Sequence, residues 1–117
     1  MDNPNKSKIW GPGMWLSIHI TALKMGEDYF LRWIRVLIPS IPCQTCREHA
    51  IKYLSSNQPE SYKGIHNNTG DIIGMFKWSW IFHNDVNKRL NKPILDYNTA
   101  YRMYTDESIL CSEDCGN

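Results

Sequence analysis

With 117 residues, 13 basic and 12 acidic side chains and a net charge of +1, the chain supports one compact domain that can bury a core without disulfide staples. Near-neutrality argues against nucleic acid or an anionic membrane as principal partner, and no apolar run approaches the ~18 residues of a spanning helix. The segment Met1 to Ile9 is polar and lysine-bearing, so no secretory leader is expected, and in a reducing compartment four cysteines serve catalysis or metal binding sooner than a structural framework.

Helical periodicity dominates and strand alternation is scarce. Pro12, just past Gly11, suits the first turn of a helix carrying Trp15, Ile18, His19, Ala22 and Leu23 and ending near Gly26. A second helix is expected from about Glu27 to Ile38, with Phe30, Trp33, Ile34 and Leu37 on one face and Pro39 as its stop. The third begins at the pair Cys43-Gln-Thr-Cys46 and continues through His49, Ala50, Tyr53 and Leu54. Ser55 to Gly70 is polar, holds Pro59, Gly64 and Asn67-Asn68, and reads as a loop. Asp71 is placed to cap a long fourth helix to about Leu90, and Asn98 a shorter fifth to about Ser108. The chain reads as all-α, a small helical bundle with a polar, cysteine-bearing tail.

A cysteine at a helix start meets unpaired N–H groups and the positive end of the dipole, which favour thiolate. Cys46, three residues on, lies close enough for an unstrained disulfide. The pair is suited to repeated oxidation and reduction. Two other readings stand beside it: a zinc-binding helical adaptor using Cys43, Cys46 and His49, with His66 or the tail thiols Cys111 and Cys115 completing four ligands, and two buried bystander thiols.

On the fourth helix Phe76, Trp80, His83, Asn87 and Leu90 recur at four, three, four and three residues and so share a face. A packing stripe with His and Asn at its centre needs hydrogen-bond partners for them. Either they satisfy each other or solvent, or a flat ligand with polar edges does so. Lys88, Arg89 and Lys92 follow, complementing the helix dipole or holding phosphates. Trp15 and His19, one turn apart on the first helix, repeat the aromatic-plus-histidine theme, for which ordinary core packing is an equal reading.

Three blocks, Trp10-Gly11-Pro12-Gly13-Met14-Trp15 with His19, then Pro42-Cys43-Gln-Thr-Cys46, then His83-Asn84-Asp85-Val86-Asn87-Lys88-Arg89-Leu90-Asn91-Lys92-Pro93, stand in an order and at separations that resemble the Erv/ALR family of FAD-linked sulfhydryl oxidases. The resemblance spans roughly residues 10 to 104. In brevity it is most similar to the minimal oxidases of large cytoplasmic DNA viruses. It implies a four-helix bundle with a short fifth helix that holds FAD, and a homodimer formed through the first two helices around Phe30, Trp33 and Leu37, unless that face only feeds the core. It divides the chain into a polar segment 1–9, an oxidase domain 10–108 and a cysteine-bearing tail 109–117.

By the same resemblance Gly11, Trp15, His19, His83, Asn87, Lys88, Leu90, Lys92 and Tyr104 contact FAD, Tyr104 standing where many relatives have a tryptophan. Pro12 stands where some members have an arginine. Asn91 replaces a common glycine, and asparagine also tolerates the left-handed conformation past a helix end. The implied chemistry is attack by a protein thiol on the more exposed Cys43, with Cys46 passing electrons through FAD to molecular oxygen and giving hydrogen peroxide. Partners would be protein thiols, a thioredoxin-like carrier among them, with no nucleic acid, membrane or resident metal. The location would be host cytoplasm at virus assembly sites, with the virion as a second place. Cys111 and Cys115 read as a shuttle dithiol, a clip on the tail or inert exposed thiols.

Overall fold

The computed structural model describes residues 6–111 of the chain. Four principal helices run in order, α1 (Lys6–Lys24), α2 (Glu27–Leu37), α3 (Gln44–Ser56) and α4 (Gly74–Arg89), followed by α5 (Tyr97–Thr105) and the single turn α6 (Glu107–Leu110). Short 3-10 turns, Ile38–Ser40 and Pro59–Tyr62, lie after α2 and α3, and among the described residues the one pairing resembling a sheet is a bridge between His66 and Ile72. No described helix is long and apolar enough to cross a membrane.

Helix α4 is the hub. It packs on α1 and also meets α5 and the 3-10 turn before it. The core is an aromatic and aliphatic cluster of Ile18, Phe30, Ile34, Ile38, Met75, Phe76, Trp78 and Phe82. Trp78 carries a polar atom into this apolar mass, and its indole N–H is satisfied by the Asn57 carbonyl at 2.6 Å, tying α4 to the end of α3. Phe30 is fully buried. Truncating it to alanine would cost about 3–5 kcal/mol.

Several boundaries differ from those expected. Helix α1 starts near Lys6 rather than around Pro12, which lies inside it and removes one N–H rung. Pro39 ends α2, but the chain tightens through a 3-10 turn before leaving the helix axis. Asp71 does not cap α4. Its N–H goes to the Asn67 side chain in a tight loop with Gly70 at φ +86°, and the helix begins three residues later at Gly74. Likewise Asp96, not Asn98, caps α5 by accepting from Thr99 N–H, and Asp106 opens a separate turn, α6. Aspartate is a good cap, and here it is the one at the correct register.

Phe30 belongs to the core, so it takes no part in an outward face of α2. Trp33 and Leu37 are half-buried against that core, and the most exposed large apolar side chain of α2 is Val36, at 75 %. Opposite charges fasten α2 to the loop beyond α3: Arg35 to Glu60 at 2.9 Å and Lys63 to Asp28 at 2.7 Å. Both pairs are solvent-exposed and worth at most about 1 kcal/mol each.

Candidate functional site

A cleft of about 440 Å³ opens between the first half of α1, the start of α3 and the second half of α4. Its walls are apolar, from Trp15, Ile18, Ile41, Phe82 and Val86, with the Cys46 thiol on one side and Arg89 and Lys92 toward the end of α4. A similarly sized hollow lined by Ala22, Gly70 and Tyr101 holds neither cysteine nor histidine. Of these two, the first has a thiol in its wall and the second does not.

The thiol pair is positioned by the entrance to α3. Cys43 is the N-cap residue in extended conformation, and its Sγ accepts the Cys46 backbone N–H at 3.5 Å. Negative charge on Cys43 sulfur is therefore met by the helix N-terminus. Cys46, one turn in, lines the cleft, whereas Cys43 does not. Burial pushes the Cys46 thiol up, the neighbouring Cys43 adds to this, and the Arg89 guanidinium pulls the other way. Ile41 O accepts from Arg47 at 2.8 Å, fixing the turn that presents both cysteines.

Helices α1 and α4 supply the opposite wall. His83 lies parallel to Trp15, ring centroids 3.9 Å and planes 5° apart. His19 is buried behind it, with Nε2 at 2.8 Å from His83 Nδ1 and Nδ1 at 2.9 Å from the Ser79 hydroxyl. The ring of Tyr104, on α5, lies against His19 with centroids 4.5 Å apart and also lines the cleft. Burial, with the charge of His83 adding, lowers His19 to about 3, and burial, with Lys92 adding, lowers His83 to about 4. Both rings are neutral at pH 7.

The end of α4 is closed by a Schellman turn. Asn91 N–H bonds the Lys88 carbonyl at 3.2 Å and Lys92 N–H the Asn87 carbonyl at 2.7 Å, with Asn91 at φ +57°. The left-handed asparagine expected there is present, and the turn places Lys92 in the cleft wall. Asn84 then pins the following segment, its amide pairing with Leu95 N–H at 3.1 Å and Leu95 O at 2.8 Å. Trp80 donates to the same carbonyl at 2.7 Å.

Of the residues predicted for the site, Gly11, Trp15, His83, Asn87, Leu90, Lys92, Tyr104 and Cys46 share the cleft. His19 does not line it but lies behind Trp15, His83 and Tyr104, which do, and Lys88 is exposed outside its wall. Phe76 and Trp80 do not share the cleft with His83, because Phe76 is core and Trp80 turns toward Leu95 and Tyr97. Ser79 and Arg89 were not singled out for the site. Arg89 was visible only as part of a basic run, and the partner of Ser79 lies 60 residues away in sequence. Cys111 is exposed, and Cys115 lies outside the described residues. Among the described residues no three His, Cys, Asp or Glu side chains gather into a set that could hold a metal ion, Cys43, Cys46 and His49 included.

The wall suits an FAD: an apolar slot with a thiol on one side would take the conjugated ring, neutral His83 would offer a hydrogen-bonding edge, and Arg89 and Lys92 would face the phosphates. The chain matches the Erv1/Alr family over residues 12–106. It is 37% identical over 114 residues to the FAD-linked sulfhydryl oxidase of African swine fever virus, isolate Pig/Kenya/KEN-50/1950, covering 92% of this chain and 88% of that one, and 36% identical with the same coverage to that of isolate Warthog/Namibia/Wart80/1980. A protein of Invertebrate iridescent virus 6, whose name assigns it the same activity provisionally, is 26% identical over 82% of this chain and 92% of its own length.

Proposed function

As a member of the Erv1/Alr family, the chain is an FAD-linked sulfhydryl oxidase, and we propose that Cys43 receives client thiols while Cys46 serves the cleft. The observation that carries this is the division of labour at the start of α3: Cys46 alone of the pair lines the cavity, and Cys43 sits at the N-cap outside it.

A client thiolate attacks Cys43 Sγ of the oxidised pair. The Cys43–Cys46 bond breaks, a mixed disulfide forms on Cys43, and Cys46 leaves as thiolate. A second client thiolate attacks the client sulfur of that mixed disulfide and releases Cys43, which the helix N-terminus stabilises as an anion. The client leaves oxidised and the pair holds two electrons. Bound FAD supplies what the cysteines lack, a group that accepts two electrons from the dithiol and yields them to oxygen as hydrogen peroxide. Arg89 assists by offsetting the burial that otherwise keeps the Cys46 proton in place. Trp15, His83, Asn87, Leu90 and Lys92 hold the group against that sulfur.

The physiological setting extends this reading. Protein thiols are the clients, with a thioredoxin-like protein as an intermediate carrier and the host cytoplasm as the place. A homodimer would form across α1 and α2, where Leu16, Tyr29 and Val36 are exposed apolar groups. Cys111, exposed after α6, suits a tail dithiol with Cys115 that relays electrons to Cys43.

Oxygen consumption with dithiothreitol tests the core of the proposal. Purified protein should be yellow and release one peroxide per disulfide formed, and Cys46→Ser should abolish turnover while keeping the colour. A colourless protein, or a Cys46→Ser variant with undiminished turnover, would refute it. Replacing Cys111 and Cys115 by serine should slow oxidation of a protein client but not of dithiothreitol; an equal rate on both removes the relay.

A further inference from the structure

Behind the cleft, hydrogen bonds run through Phe76, Ser79, His19 and His83, and their direction is determined. The Ser79 hydroxyl lies 2.7 Å from the Phe76 carbonyl, which can only accept, so the single hydroxyl hydrogen points there. His19 Nδ1, 2.9 Å from the same hydroxyl, must then be the donor. A neutral imidazole has one N–H, so His19 Nε2 accepts and His83 Nδ1, 2.8 Å away, donates to it. That leaves a lone pair on His83 Nε2. No hydrogen bond reaches this nitrogen from the described residues, and no buried side-chain polar atom is left unpartnered, so Nε2 is open to the cleft that His83 lines. Burial of both rings keeps them neutral, so each carries a single N–H.

We propose that Ser79 is a positioning residue that orients this hydrogen-bond chain and thereby holds His83 with its proton on Nδ1, so that Nε2 accepts from an N–H or O–H donor of the group bound in the cleft. Ser79 is fully buried and touches neither thiol nor cleft. Its effect passes through two rings, one of which Trp15 clamps by stacking. The inference deepens the FAD reading and rests on it.

The test is a long-range proton–nitrogen spectrum of the FAD-loaded full-length protein at pH 7, with the imidazoles assigned from histidine-to-glutamine variants. His83 should show a protonated Nδ1 and a bare Nε2. Ser79→Ala should turn His83 into a tautomer mixture and weaken FAD binding about two- to tenfold, and Ser79→Thr, which keeps the hydroxyl, should restore both. A His83 protonated on Nε2 in the wild type, or a Ser79→Ala protein with wild-type spectrum and affinity, overturns the proposal. If Ser79→Ala does not fold, the wild-type spectrum alone decides. Wild-type protein that binds no FAD defeats the wider reading, whereas flavin-bound protein with the inverted tautomer defeats only this one.

Discussion

The imidazole of His83 lies face to face with the indole of Trp15, centroids 3.9 Å and planes 5° apart, although the two residues belong to helices far apart in sequence, α4 and α1. Parallel stacking at that separation fixes the rotation of His83 while leaving its edge clear. Trp15 thus serves the cleft twice, as wall and as clamp. Trp15→Ala should weaken FAD binding by the stacking contribution of about 0.5–1.5 kcal/mol, roughly two- to tenfold, with Trp15→Phe between it and wild type. Titration by flavin fluorescence measures this, and equal affinities for all three would contradict the clamp.

Acid should unfold the protein by way of buried His19 and partly buried His83. In the unfolded chain both titrate near 6.5, while burial lowers them to about 3 and about 4 in the fold. The unfolded state therefore binds more protons below pH 6.5, so this contribution to stability is complete above that value and is lost progressively as pH falls toward 4 and then 3. Urea midpoints should drop between pH 7 and pH 5, before the carboxylates titrate. A His19→Asn protein should show a shallower drop, and a flat wild-type profile would contradict the burial assigned here.

Arg89 carries the favourable charge at Cys46. Removing it in Arg89→Met leaves burial and Cys43 unopposed, so the Cys46 thiol rises further. The pH of half-maximal anaerobic flavin reduction by dithiothreitol should move upward, and Arg89→Lys should move it less. An unchanged profile would remove Arg89 from the account.

Gly74 opens α4 where the chain has no room for a side chain. A Cβ there would run into the Tyr62 backbone carbonyl, which itself accepts from Ile65 N–H. Alanine is favoured over glycine in helices by about 1 kcal/mol, but a clash with fixed backbone outweighs this. Gly74→Ala should lower stability by about 1–3 kcal/mol in urea denaturation. A stabilised variant would show that the turn yields freely.

The helical class and the order of the four long helices were legible in sequence because they depend on local spacing, whereas most of the residues expected at the cleft came from the family resemblance. His83, Asn87 and Leu90 fall on one side of α4 by helix geometry alone, and Asn91 at a helix end signals its left-handed turn. What escaped depends on contacts distant in sequence. Ser79 resembles any helical serine until His19 is placed against it, and Gly74 is unremarkable until Tyr62 arrives. The caps failed at close range for another reason: Asp71 and Asn98 have suitable side chains, but Asn67 engages the first and Asp96 holds the register before the second. Phe30 and Val36 share one helix, and sequence alone could not divide core from outward face.

In the proposed mechanism the Cys43–Cys46 pair discharges its electrons into FAD held at the cleft. Anaerobic titration of the purified protein with dithiothreitol, followed by flavin absorbance, tests it directly. The wild type should lose its yellow absorbance and regain it on admission of air, and Cys46→Ser should stay oxidised under the same titration. Bleaching of the Cys46→Ser protein at the wild-type rate would contradict the account.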